Sequence, residues 1–233
     1  MISKHHAILF LLLLTGSVIS AQRGFQRYLE AGTMFGATNY SGDLSEKQVE
    51  INETQPGFGF FLRYHLTSNF SMKAHIYSGS ISGDDKNTSR AGRKYRFGTS
   101  IFETALVGEW AFFAHQRYSS TGIFKSHIQP YIFAGIGYTF GDPKAEYYGT
   151  TPNQDLKVPL PEEGLKTQFI LAPIGGGIRT EVFDWMAIGL EGGVRPVFSD
   201  DLDGMKINGN PDSGDWYYFA GLTISVLLGG NNN

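Results

Sequence analysis

Trp216-Tyr217-Tyr218-Phe219-Ala220-Gly221-Leu222-Thr223-Ile224-Ser225-Val226-Leu227-Leu228 reads as one strand. Tyr218, Ala220, Leu222, Ile224, Val226 and Leu228 alternate with Phe219, Gly221, Thr223 and Ser225. A β-strand turns successive side chains to opposite faces, so this period of two gives the segment one uniformly apolar face. Its length suits a tilted strand that crosses a bilayer.

Working back along the chain, the same period recurs in seven more runs: Arg27 to Ala37, Gly57 to Leu66, Phe70 to Ser78, Thr99 to Phe113, Pro130 to Phe140, Gln168 to Glu181 and Trp185 to Phe198. The connections Thr67-Ser68-Asn69 and Val182-Phe183-Asp184 are tight, whereas those after the first, third, fifth and seventh runs are long and polar. A soluble sandwich has no reason to sort loop length by end, but an outer-membrane barrel does. The expected fold is therefore all-β: an eight-stranded antiparallel transmembrane outer-membrane β-barrel.

Composition agrees. Among 233 residues there are 30 Gly, 18 Phe, 12 Tyr and 3 Trp, and only 18% are charged. High glycine and aromatic content with low charge excludes a disordered tail or a coiled coil. The absence of cysteine removes disulfides, thiolate metal sites and a lipid-anchored cysteine. A net charge of −3 argues against nucleic acid as a partner. Lys4, His5 and His6 precede an apolar run from Ala7 to Leu14, then a small-residue stretch ending at Ala21. This reads as a signal peptide over residues 1–21, too short in its core to span a membrane as a helix. The barrel domain would cover residues 22–228, with a short tail over 229–233.

The faces differ in chemistry. Glu30, Arg63, Lys73, Glu103, Glu109, Arg179, Glu181, Glu191 and Arg195, with His65 and His75, all fall on one face of their runs. The pattern alone does not say which face is inside. The signal peptide, the loop asymmetry and the aromatics near the run ends (Tyr64, Tyr138, Phe140, Trp185, Phe198, Trp216, Tyr218) place lipid on the apolar side. Eight strands leave a bore only wide enough for side chains. The charged residues are then expected to fill it as an ion-pair network, because unpaired charge in a dry lumen is costly.

Candidate sites are few. Asp84-Asp85 and Asp200-Asp201-Leu202-Asp203-Gly204 lie in outer loops. Clustered Asp offers oxygen ligands for calcium, but the spacing is not that of an EF-hand, and solvated turns explain it better. Ser126-His127 is the one adjacent pair resembling a nucleophile and base; adjacency does not supply their geometry, and no triad accompanies it. The chain reads as non-catalytic, without cofactor or metal. The 115–128 connection is long at the end where turns are short. It carries His115, Arg117, Tyr118 and Lys125 and no acid. Exposed aromatics beside Arg are typical interface anchors, so these four are the expected partner contact.

Six segments together resemble the PorG-like (DUF6089) outer-membrane barrels linked to type IX secretion. They are Asn39-Tyr40-Ser41-Gly42-Asp43-Leu44, Ile81-Ser82-Gly83-Asp84-Asp85, Ser100-Ile101-Phe102-Glu103, Pro130 to Gly137, Asp142-Pro143-Lys144-Ala145, and Gly189 to Arg195 with Phe198, Ser199, Asp200 and Leu202. The resemblance implies an outer-membrane component that anchors or positions a periplasmic ring of PorK-like lipoprotein and PorN-like protein. The last run also resembles the signal read by the barrel-assembly machinery, with Gly221, Ile224 and Val226 at the expected offsets, though it lacks a terminal aromatic and continues to Asn233. The alternatives are a surface barrel acting in adhesion or protection through its long outer loops, and a periplasmic ligand-binding barrel.

Overall fold

The computed structural model describes residues 27–41, 50–87, 91–92, 94–114, 116–149, 164–199, 201–204 and 215–228. The expected signal peptide, the 229–233 tail and His115 lie outside the described residues. Among the described residues nine strands form: β1 (Tyr28–Ser41), β2 (Gln55–His65), β3 (Phe70–Asp84), β4 (Tyr95–Ala111), β5 (Ile128–Tyr147), β6 (Gln168–Leu171), β7 (Ile174–Phe183), β8 (Met186–Pro196) and β9 (Trp216–Leu228). All pairings are antiparallel. Each strand pairs with its neighbours in sequence, except that β6 and β7 both pair with β5 and not with each other, and β1 pairs with β9, which closes the ring.

The expected sixth strand is two strands. β6 and β7 lie end to end along β5, with Gly137 opposite Leu171 and Ala134 opposite Ile174, so the register continues across the break. Prolines cause the interruption. Gly135 N donates to Pro173 O at 2.9 Å, and Ala172 N donates to Pro196 O at 3.1 Å. Neither proline has an N–H to return the second bond of its pair. Strands β3, β4 and β5 also run further than the apolar alternation suggests, reaching Asp84, Tyr95 and Tyr147. Their added outward residues are polar: Arg96 pairs with Glu146 at 2.8 Å and Lys144 with Asp142 at 3.2 Å. These charged pairs stand clear of the apolar belt, where the strand period persists without an apolar face to reveal it.

Ring closure fixes which face is inside. Phe35, Phe60, Leu62, Leu106, Ile132, Ile136, Ile178, Leu190, Leu222 and Ile224 point outward, each between 47% and 62% exposed. The face that carries the ionisable residues lines the lumen. Aromatic rings inside fit because glycines on adjacent strands give way to them. A Cβ on Gly177 would sit 2.7 Å from the Tyr131 hydroxyl, and one on Gly175 would sit 2.6 Å from Phe133 Cζ. Phe61 lies over Gly32 and Phe219 over Gly36 in the same way. This pairing of ring with bare backbone is the physical reason that glycine and aromatics are both abundant.

Gly177 and Gly192 separate this packing role from simple tolerance. At Gly192, on the outer wall, a Cβ meets nothing nearer than 3.6 Å. Gly177→Val should cost about 1–3 kcal/mol through overpacking against Tyr131, read as a lower urea midpoint in detergent micelles. Gly192→Ala should leave that midpoint unchanged.

Candidate functional site

The lumen is the most highly organised chemistry in the molecule. Tight turns mark one end of the ring, the turn end, and long connections mark the other, the loop end. Near the turn end, Arg63 (0% exposed) bridges two carboxylates. Its Nη1 bonds Glu30, its Nε donates to Glu109 Oε2 at 2.7 Å and its Nη2 to Glu109 Oε1 at 3.2 Å. Glu30 also accepts from Ser225 at 2.6 Å and meets His65 Nε2 at 2.8 Å. Arg179 stands 3.6 Å from Glu30 and 3.9 Å from Glu109 and bonds Gln129.

One level further along, Lys73 Nζ lies 2.5 Å from Glu191 and 3.3 Å from Glu109, and Tyr131 donates to Glu191 at 2.9 Å. The next level centres on Glu103, which meets His75 Nε2 at 2.7 Å, accepts from Tyr217 and faces Arg195 Nε at 3.6 Å. Rings line the cations: Phe61 is 4.8 Å from the Arg63 guanidinium, and Phe219 is 5.0 Å from that of Arg195. Beyond this level the ion pairs end, and buried Thr38 and Thr99 stand among apolar side chains. Met34, Ile81, Phe97, Ile101, Phe169 and Leu171 belong to one buried cluster that continues to Leu202.

Connections contribute buried residues at both ends of the lumen. At the turn end residues 116–127 fold back as a small hairpin, with Tyr118 bridged to Phe124. Arg117, expected as an exposed anchor, is instead buried. Its Nε donates to Glu181 Oε2 at 2.9 Å, and its guanidinium lies 4.7 Å from the ring of Tyr28. Burial works against the charge of Arg117, but the Glu181 hydrogen bond and charge prevail and hold its pKa above the ordinary arginine value. Tyr118 is half-buried, while Lys125 is exposed. Among the described residues Arg117 brings the fixed cations of the ladder to five (Arg63, Lys73, Arg117, Arg179, Arg195), against its five glutamates (Glu30, Glu103, Glu109, Glu181, Glu191). The sequence reading missed the fifth cation because it comes from a connection and not from a strand face. The excess of one acid among the strand residues was its only trace.

At the loop end, the acidic segment after β8 is not a solvated turn. Asp201, Leu202 and Asp203 are each buried to 1% exposure or less; Asp200 lies outside the described residues. The Tyr40 hydroxyl lies 2.7 Å from both Asp203 Oδ2 and Asp215 Oδ1, with its one hydrogen to share between them. Leu202 N donates to Asp215 Oδ2 at 3.1 Å, and Thr99 Oγ1 donates to Leu202 O at 2.8 Å. Asp85 is also buried, where it accepts Tyr95 N at 3.1 Å. Among the described residues no group of three or more His, Asp or Glu is set to hold a metal ion. Ser126 Oγ donates to Glu181 O at 2.7 Å, whereas His127 Nδ1 lies 2.8 Å from Lys125 O, so the two side chains of this pair address different backbone groups.

The lumen network makes a measurable demand. Arg63→Met removes the guanidinium that hydrogen-bonds both Glu30 and Glu109, leaving them the longer contacts to Arg179 and Lys73, and should cost about 3–5 kcal/mol, seen as a lower thermal or urea midpoint. Arg96→Met removes only a solvent-screened pair and should not move the midpoint.

Comparison with curated proteins gives no match. Among solved structures the chain is similar to Ail, the attachment invasion locus protein of Yersinia pestis, with a TM-score of 0.45 and 9% identity over 86% of this chain and 99% of Ail. It is similar also to the N-terminal β-barrel domain of Pseudomonas aeruginosa OprF, with a TM-score of 0.37 and 14% identity over 85% of this chain and 96% of that domain. A family model described as Domain of unknown function (DUF6089) matches residues 4–233, and the chain belongs to that family.

Proposed function

We propose that this protein is a non-catalytic β-barrel of the bacterial outer membrane that anchors or positions a periplasmic ring of the type IX secretion machine. One observation carries the membrane reading: the polarity of the ring is inverted relative to a soluble barrel, with apolar side chains outside and paired charges inside. The belt has a suitable height. From Phe102 to Phe112 the chain advances about 3.4 Å per residue, and at a tilt of roughly 40° this spans about 25 Å. Aromatics cluster near its edges, with Phe102 beside Phe140 at one level and Phe70 beside Trp110 at the other. Phe183 stacks on Trp185 at the turn between β7 and β8, as an interfacial girdle would.

The secretion role draws on the DUF6089 membership and on the PorG-like segments. Two of those segments reach the loop-end closure, Tyr40 by its bond to Asp203 and Leu202 by its carbonyl, which accepts from Thr99. In this reading the 116–127 hairpin is the periplasmic contact for a PorK-like lipoprotein. Arg117 holds the hairpin in place from inside the barrel. The exposed edge, with Ile123 (66% exposed) and Lys125, faces the partner.

Ile123→Asp combined with Lys125→Glu alters the exposed edge and leaves Arg117 and Glu181 in place. Outer-membrane insertion should be unchanged, and a ring lipoprotein should no longer co-purify from gently solubilised membranes. Co-purification at the level of the unaltered protein would remove the hairpin from the contact. A barrel that never carries such a partner, under conditions that preserve the ring, would favour a surface role instead.

A further inference from the structure

We infer that a groove on the outer wall across β1 to β4 seats one acyl chain of a sugar-headed lipid from the loop-end leaflet. The inference rests on the wall lying in a membrane, as proposed above.

The groove follows the register of the sheet. Thr33, Phe60, Ile76 and Thr104 stand opposite one another in a single row across the four strands, and Ala31, Leu62 and Ala74 form the row beside it. Both rows turn outward. The small alanines and threonines, set next to the larger Phe60, Leu62 and Ile76, leave an apolar groove of ≈ 570 Å³. That is the size of a small-ligand site, ~300–1,000 Å³. With neighbouring strands about 4.8 Å apart, the row spans roughly 14 Å from Thr33 to Thr104.

Depth and hydroxyls together name the occupant. On β4 the groove lies between the girdle residues Phe102 and Trp110, so it is reached from within the bilayer and is continuous with the lipid-facing wall. Thr33 and Thr104 place hydroxyls among its apolar side chains, and the bilayer core supplies no water to bond them. An ester or hydroxyl carried on an acyl chain would. Toward the turn end the next outward positions of β3 and β4 are Met72, Phe70, Gly108 and Trp110, none with a hydroxyl. Toward the loop end the hydroxyls continue, with Ser78 and then Ser80 opposite Ser100. The headgroup therefore stands at the loop end, against serines. The outward cations beyond them, Arg96 and Lys144, are already paired with Glu146 and Asp142, which favours a sugar over a phosphate as the group recognised.

The test places the full chain in nanodiscs of phosphatidylethanolamine containing hexa-acylated lipid A, releases it and counts bound lipid by native mass spectrometry. One lipid A per barrel is expected to be retained, in preference to phosphatidylethanolamine. Ala74→Trp fills the groove with a clash and should lower the lipid-bound fraction about tenfold. Thr33→Val with Thr104→Val keeps the shape, removes both hydroxyls and should lower it about threefold. Leu190→Trp, outward on β8 and away from the groove, should leave it unchanged. Equal retention of the two lipids, or lipid A retention indifferent to Ala74→Trp, would overturn the seat while leaving the membrane reading intact. Barrels released as pairs that Ala74→Trp separates would overturn it in favour of an interface between copies. A chain that stays outside the nanodisc would overturn the membrane reading, and the seat with it.

Discussion

Arg63 is wholly buried and holds Glu30 and Glu109 together, and much of the barrel interior is arranged around that need. A charge removed from water is costly unless an opposite charge lies beside it, and here pairing goes further than hydrogen bonding, since among the described residues Arg195 Nε and Nη1 and Arg179 Nη1 have no hydrogen-bond acceptor. Closing the ring places ten fixed charges in a narrow space. The solution is a graded ladder: Glu181 with Arg117, Glu30 and Glu109 with Arg63 and Arg179, Glu191 with Lys73, and Glu103 with Arg195. Because every carboxylate of the ladder except Glu181 reaches a cation on another strand, the network ties the wall together across the lumen as well as along it.

The same narrowness explains the glycines. A bore of this size cannot hold both a full set of Cβ atoms and the rings of Phe61, Tyr131, Phe133 and Phe219. Bare backbone opposite each ring provides the room, and the rings then lie against the cations. Packing and electrostatics are thus coupled: the ring that fills the space over a glycine also shields the neighbouring charge from water.

The two ends are closed by different means that serve one purpose. At the turn end a cation enters to meet an unmatched carboxylate. At the loop end two buried aspartates share one tyrosine hydroxyl and hold a leucine in an apolar space. Both closures come from connections. Strand residues alone leave the lumen with one acid too many and an apolar end open to water.

Read from the sequence, the period of two sets the strands, and the confinement of Glu30, Arg63, Lys73 and their counterparts to one face sets the two surfaces. These features are local, because side-chain alternation is a property of each strand by itself. The sequence also shows the tight turns at Thr67 to Asn69 and Val182 to Asp184. The break at Pro173 escapes it, because a period of two continues through a proline whose cost appears only when β5 and β8 lie alongside. The upper parts of β3, β4 and β5 escape it because their outward residues are polar. Alternation by itself does not say which face is inside; loop asymmetry and the aromatics at the run ends point the apolar side to lipid, and the closure of β1 on β9 puts the charged face in the lumen. Only the tertiary structure brings Arg117 to Glu181, 64 residues away, and Tyr40 to Asp203, 163 residues away. Contacts between a connection and a distant strand have no period, so they can be known only once the chain is folded.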